Sequence, residues 1–385
     1  MIPYGRQSIS EKDIQAVVDV LRSDFLTQGP KVPAFEQAVA ARVGAQHAVA
    51  LNSATSALHV GCLALGLGPG DWLWTSPNSF VASSNCALCC GAQVDFVDID
   101  PHSYNMCPRE LRRKLEAARS AGRLPKIVAP VHFAGQSCDM EAIGALAKEF
   151  GFRLIEDASH AIGASWRQKP VGACTHSDMT VFSFHPVKII TSAEGGMITT
   201  NDPALATRAA ELRSHGVTRD PARMVRPAEG AWCYEQIGLG FNYRMTELQA
   251  ALGLSQLDEL DRFVKARHAL VARYDKGLKN LPLTRPWQHP ESFSAFHLYV
   301  IQVRDDAPID RRALFDRLRA EEILVNVHYI PIHTQPYYEA LGFKRGDFPQ
   351  AERYYQHAIS LPLYAELSEA DQDRVIAVLT EALRS

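Results

Sequence analysis

The chain has 385 residues, 46% of them hydrophobic, enough at roughly 150 residues per domain for two domains or for one with an appendage. Its 40 Lys and Arg against 43 Asp and Glu leave a net charge of -3, which offers no general case for a nucleic-acid or anionic-membrane partner and, with this composition, excludes a disordered or fibrous chain. Met1–Arg6 lacks the basic start and apolar run of a signal peptide, and no apolar run approaches the ~18 residues of a membrane span, so a soluble cytoplasmic protein is expected.

In chain order, Ser10 precedes Ile14, Val17, Val18 and Leu21, whose spacing predicts a helix with one apolar face. Ser10 with Asp13 suits a capping arrangement at its start. A second helix is expected over roughly Pro33–Val43, stopped by Gly44. Short apolar runs of strand type follow at Ala48–Leu51, Trp72–Trp74, Val94–Asp98, Ile127–Val131, Arg153–Ile155, Thr180–Ser183 and Met197–Thr199. Helical stretches lie between most of them. One is Met140–Phe150, with Ile143, Ala147 and Phe150 on one face. Gly66-Leu67-Gly68-Pro69-Gly70 resembles a dinucleotide loop, but a true one follows a strand and opens a helix, so a turn is predicted. Cys86, Cys89 and Cys90 show C-x-x-C spacing without a second pair to complete a tetrahedral site. Among small residues they read as free thiols in a buried helix, and no metal is assigned. Residues 217–233 have the composition of a mobile surface loop.

Strands that are apolar on both faces and alternate with helices predict an α/β fold, with a large domain over 1–255 built on a mainly parallel sheet. One long helix from Met245, carrying Leu248, Leu252, Leu257, Leu260 and Val264, would bridge to a smaller α+β domain over 256–385. Strands are expected there at Leu298–Val303 and Val325–Tyr329. A last helix from Ser368 would turn Val375, Val378, Leu379 and Ala382 inward.

Ligands of such sheets sit at the carboxyl ends of the strands. Three places there could carry chemistry. Asn52–Leu58 follows a strand and opens a helix, so its free N–H groups suit a phosphate; plain N-capping by Ser53 or Thr55 is the alternative. Asp157, in Glu156-Asp157-Ala158-Ser159-His160, is a strand-end carboxylate that needs a cationic or hydrogen-bonding partner, either a protonated heterocycle or a structural ion pair. Lys188 lies among apolar and aromatic residues before Glu194-Gly195-Gly196; it is either a solvated lysine or, if dehydrated, an amine nucleophile. Together the three meet the needs of one cofactor, pyridoxal phosphate: a phosphate cradle, a carboxylate for the pyridine nitrogen and a lysine for covalent attachment.

These segments, with Thr27-Gln28-Gly29-Pro30, Ser79-Phe80, Phe96-Val97-Asp98-Ile99-Asp100, Asn242-Tyr243-Arg244-Met245 and His328-Tyr329-Ile330-Pro331, resemble the nucleotide-sugar aminotransferases of the DegT/StrS class, which have the aspartate-aminotransferase fold. The resemblance covers nearly the whole chain. It implies Lys188 as the attachment lysine, Asp157 on the ring nitrogen, His160 near the cofactor's phenolic oxygen and Phe80 stacked on its ring. Ala54, Thr55 and Ser183 would hold the phosphate. Asn242 would act on the partner subunit's cofactor in a homodimer with shared sites. Tyr4, Asp24, Phe25, Leu26, Thr27, Ser56, Asn242, His328, Tyr329, Ile330 and Pro331 would line the sugar-nucleotide cleft. The opening Ile2–Ile9 with Arg22–Pro30 is most similar to the branch that makes pseudaminic acid precursors. That implies transfer from L-glutamate, leaving 2-oxoglutarate, to C4 of a UDP-4-keto-6-deoxy-N-acetylhexosamine. The alternatives are amination at C3 or of another nucleotide sugar, and an idle sugar-nucleotide sensor. Arg219, Arg226 and Arg244 are candidates for the glutamate carboxylate. The sequence departs from the family pattern at two places. Ala193 stands where the family has Gly, which is tolerable only if φ there is below zero. Ala54 stands where many members have Gly.

Overall fold

A computed structural model describes residues Met1–Arg384. Its centre is a seven-stranded sheet. The first five strands are β1 (His47–Leu51), β2 (Trp72–Thr75), β3 (Gln93–Phe96), β4 (Ile127–Ala129) and β5 (Arg153–Asp157). A small hairpin, β6 (Ser165–Trp166) and β7 (Lys169–Pro170), leads to β8 (Met179–Ser183) and β9 (Gly196–Thr200). The sheet order is β1-β9-β8-β5-β4-β2-β3. Only β9 runs against its neighbours; the β8-β5-β4-β2-β3 pairings are all parallel. All seven predicted runs are strands of this sheet. Helices cover both faces, so β4, β8 and β9 are buried at every position.

Outside this sheet, β10 (Val217–Thr218) pairs with β11 (Glu235–Gln236), bracketing the largely exposed segment expected to be a loop. A three-stranded antiparallel sheet joins β12 (Leu283–Thr284), β14 (Tyr299–Val303) and β15 (Ala358–Leu361), while β13 (Ser292–Phe293) pairs with β6. The terminal helix, Glu369–Arg384, buries Val375, Val378, Leu379 and Ala382 as expected. The first residues pack here too: Ile2 donates to Glu322 O at 2.9 Å and accepts from Leu324 N at 2.8 Å, and Tyr4 O accepts from Leu363 N at 3.0 Å.

Several local expectations need correction. The first helix, Glu11–Leu21, is capped by a reciprocal Ser10–Asp13 box, but it buries Asp13 and Val20, not the predicted ridge. Ile14 and Leu21 are exposed, and Val17 and Val18 only partly covered. The cause is Asp13, whose carboxylate also accepts from Gln256 Nε2 at 2.8 Å and so turns the polar side inward. The long helix from Met245 is two, Glu247–Leu257 and Leu260–Gly277, broken at Asp258–Glu259. Val325–Tyr329 is not a strand. Only Asn326 bridges to Ser360, and the chain then turns so that His328 and Tyr329 reach a cavity beside the large sheet. Of the thiols, Cys86 and Cys90 are buried in the core, but Cys89, on the next face of the Ala82–Cys89 helix, is exposed.

Candidate active site

Six strands end, and β9 begins, at one edge of the sheet, where a cavity of about 440 Å³ opens. After β1, Ser53 caps the Ala54–Ala64 helix by accepting from Ser56 N at 3.1 Å. The next amides, of Ala54 and Thr55, find no acceptor among the described residues and face the cavity rim. A β-carbon at Gly196 would collide with the Ser53–Ala54 peptide, so only glycine lets β9 lie against this helix start. The result is a ready anion cradle, with Ser183 at the end of β8 beside it.

Asp157 ends β5 and is 4% exposed. Its Oδ2 accepts from Ser83 Oγ at 2.6 Å, and its Oδ1 from Ser159 Oγ at 2.6 Å and Ser159 N at 3.1 Å. Ser79 Oγ lies 2.7 Å from Ser83 Oγ and, because Ser83 gives its proton to Asp157, donates to it. Among the described residues no cation is paired with this buried carboxylate, a setting suited to a protonated heterocyclic nitrogen. Behind it, on the other face of the sheet, Glu156 accepts from His132 Nε2 at 2.6 Å, from Thr180 Oγ1 at 3.2 Å and from Ser177 Oγ. Burial works to raise Glu156, yet these bonds, led by that from His132, leave it below the ordinary carboxylate range. Glu156 thereby joins the turn after β4 and the start of β8 to β5.

Lys188 follows β8 in a loop closed by its own amide on His185 O at 2.9 Å. Loss of hydration pushes its ammonium down to about 8, against the opposing pull of Asp157. His160 and His297, both buried with ring centroids 4.3 Å apart, are held well below the usual imidazole range, first by burial and then by neighbouring charge. His328, bonded to Ser360 Oγ at 2.7 Å, is pushed down to about 3 by burial and then by Lys188. Three neutral imidazoles thus surround one amine that sheds its proton easily.

Ten predicted site residues meet here: Tyr4, Ala54, Thr55, Phe80, Asp157, His160, Ser183, Lys188, His328 and Tyr329. The others do not. Ser56 is buried, and its hydroxyl donates to Asn52 Oδ1 at 2.6 Å, so it completes the cap instead of lining the cleft. Pro331 is buried in the turn that accepts from Thr334 N, and Ile330 is exposed beside it. Asp24, Phe25, Leu26 and Thr27 lie on an exposed loop tied to the Glu247–Leu257 helix by Glu247 N to Leu26 O at 3.0 Å. Asn242 is also exposed. None of the arginine candidates lines the cavity. Sequence reasoning missed Ser83, Ser159, His185, Glu194 and His297. Ser83 was concealed in a run that reads as a small-residue core helix. Ser159 lay inside the Glu156–His160 motif, and nothing local marked His297, which comes from the segment just before β14.

Ala193 sits at φ 66, in the left-handed region, contrary to the expectation of a negative φ. Its amide donates to Thr191 Oγ1 at 3.0 Å, which holds the turn that delivers Glu194 to the cavity. Left-handed backbone costs a residue with a β-carbon roughly 1–2 kcal/mol. Ala193→Gly is expected to stabilise the protein by about 1 kcal/mol, read as a rise in the denaturant midpoint with unchanged slope.

A family model described as the DegT/DnrJ/EryC1/StrS aminotransferase family matches residues 7–380. The spore coat polysaccharide biosynthesis protein SpsC of Bacillus subtilis is 41% identical over all of this chain and 97% of its own length. Among solved structures, Helicobacter pylori PseC, an aminotransferase involved in the biosynthesis of pseudoaminic acid, is 31% identical with a TM-score of 0.91, covering 100% of this chain and 99% of its own. Spr1654 of Streptococcus pneumoniae, described as a candidate sugar aminotransferase and solved in a PLP form, is 29% identical with a TM-score of 0.89, covering 100% and 98%.

Proposed function

The chain belongs to the DegT/DnrJ/EryC1/StrS aminotransferase family, and from that premise we propose one reaction for it. It is a sugar aminotransferase that depends on pyridoxal phosphate. The proposed reaction is amino transfer from L-glutamate to C4 of UDP-2-acetamido-2,6-dideoxy-β-L-arabino-hex-4-ulose, a step of pseudaminic acid synthesis. The observation that carries it is the position of Tyr4. The N-terminal arm, the segment most similar to that branch of the family, brings this phenol into the cavity with its ring 5.5 Å from His328. A wall of phenol and imidazole suits a sugar whose hydroxyls need hydrogen bonds, and a site built that way rejects the wrong sugar by leaving buried polar groups unpaired.

Bound in this cavity, the cofactor would supply an electron sink for a carbanion. The Ala54 and Thr55 amides and Ser183 would hold its phosphate, Asp157 would keep its ring nitrogen protonated, and Phe80, 60% exposed here, would cover its ring. The amine of Lys188 would carry the covalent attachment and, once released, move a proton as base and then as acid. Incubation with glutamate and a panel of UDP- and dTDP-linked keto sugars, with product NMR, tests the proposal. A new amine at C4 of the UDP sugar is expected; an amine at C3, or turnover of dTDP sugars alone, overturns it. The 41% identity to SpsC favours a second reading, amination of a different keto sugar for a surface polysaccharide, which the same panel separates.

The proposal includes a homodimer with composite sites, since Asn242 and the Asp24–Thr27 loop lie outside their own chain's cavity. The exposed Ile14, Leu21, Phe25 and Leu26 would be covered in it. Mixing inactive Lys188→Ala with an inactive Asn242→Ala protein is then expected to restore part of the activity through hybrid dimers, whereas a fully active monomer by light scattering would contradict it. The division into a cofactor-binding part over 1–255 and a smaller part over 256–385, and a cytoplasmic location, belong to the same proposal. No described helix is long and apolar enough to cross a membrane.

A further inference from the structure

One run of hydrogen bonds in the cavity has its sense fixed at its start. A backbone N–H can only donate, and the Ala134 amide donates to Nδ1 of His160 at 3.3 Å. That nitrogen therefore offers its lone pair, and the ring proton resides on Nε2. The imidazolium, with a hydrogen on both nitrogens, is excluded by the same contact, and by burial beside Lys188 and His328. Nε2 then donates to the Tyr329 hydroxyl oxygen, 3.1 Å away. Tyr329's own proton is left without an acceptor among the described residues, on a ring that lines the cavity.

Both ends of this run are rigid. Ala134 has φ 57 inside the tight Phe133–Gly135 turn, whose Phe133 amide donates to Asn105 Oδ1 at 2.8 Å. A β-carbon at Gly135 would lie 2.8 Å from Phe296 N, so the turn is packed closely against the segment before β14. Tyr329 lies near-parallel to His160, with an interplanar angle of 18°, and meets Phe133 edge-on.

We propose that Tyr329 is the hydroxyl-proton donor of this cavity, giving its O–H to a ligand oxygen that carries or develops negative charge, and that His160 is a positioning residue. This rests on the sugar-aminotransferase reading of the cavity. It departs from the expectation that His160 itself serves the cofactor's phenolic oxygen, because the only proton on that ring is already directed at Tyr329. The ligand oxygen belongs either to the cofactor or to the keto sugar.

The test uses the holoenzyme. With ¹⁵N-labelled histidine, NMR is expected to find His160 neutral with its proton on Nε2; a proton on Nδ1 overturns the proposal without any variant. Tyr329→Phe is then followed through each half-reaction by absorbance. A loss of tenfold or more in the glutamate half-reaction, with a rise of about one pH unit in the midpoint of the bound cofactor's visible band, assigns the cofactor oxygen. A similar loss confined to the keto-sugar half-reaction assigns the sugar oxygen. Unchanged half-reactions and an unchanged midpoint overturn the proposal. His160→Gln, which keeps one acceptor and one donor, is expected to retain more activity than His160→Phe; equal loss in both contradicts the positioning role. The glutamate half-reaction and the band titration need no sugar, so a wrong assignment of the keto sugar leaves these arms readable.

Discussion

Lys188→Ala is expected to lower turnover by about four orders of magnitude, because one amine would be both the attachment point and the proton carrier, and general acid–base catalysis alone supplies roughly 10²–10⁴. The environment that prepares the amine is visible. Lys188 lies in a loop whose neighbours strip its water, and the imidazoles of His160, His297 and His328 stay neutral around it. Its ammonium is held at about 8, below the ordinary lysine value. In cofactor-free protein the reactive free amine therefore grows tenfold per pH unit up to about 8 and then levels off. Aldehyde modification of Lys188, followed by borohydride and peptide mapping, should follow that profile. A profile still rising at pH 10 would show an ordinary lysine. A label at another lysine would reject the assignment. The sign for stability is the opposite of a salt-bridged lysine: the ionised form is disfavoured by folding, so the cost is full below pH 8 and fades as pH approaches the unfolded value near 10.4.

Asp157→Asn is expected to leave the fold intact and remove most of the activity. The amide keeps the size of the carboxyl group; its one oxygen can still accept from Ser159, and its NH2, placed toward Ser83, would donate to that hydroxyl instead of accepting from it. What it loses is the charge, and hydrogen bonds to charged groups contribute about 1.5–3 kcal/mol, so at least a ten- to hundred-fold loss of turnover follows. Near-normal turnover in a well-folded Asp157→Asn protein would place the partner of the ring nitrogen elsewhere. Glu156 is no substitute: it points to the opposite face of β5 and its oxygens are taken by His132, Ser177 and Thr180.

Much of this site was legible in the chain because its parts are local. Strands buried on both faces announce themselves as apolar runs, and all seven lie where those runs are. A parallel sheet puts the residues after such runs at one edge, so Ser53–Thr55, Asp157 and Ser183–Lys188 could be read as neighbours despite the 31 positions between Asp157 and Lys188 alone.

What only the tertiary structure decided are contacts whose reason lies far along the chain. The first helix turned its apolar ridge outward because Asp13 meets Gln256, a partner no window of sequence contains. Val325–Tyr329 has the composition of a strand, yet lacks a neighbour to pair with beyond Asn326 and bends so that His328 and Tyr329 enter the cavity. Ala193 adopts φ 66 because the Thr191 hydroxyl and the fixed start of β9 leave the loop no other course. Periodicity records which side of an element is apolar. It carries no record of the buried hydrogen bond that overrides that preference, or of which nitrogen of His160 holds the proton, since both depend on atoms brought close only by folding.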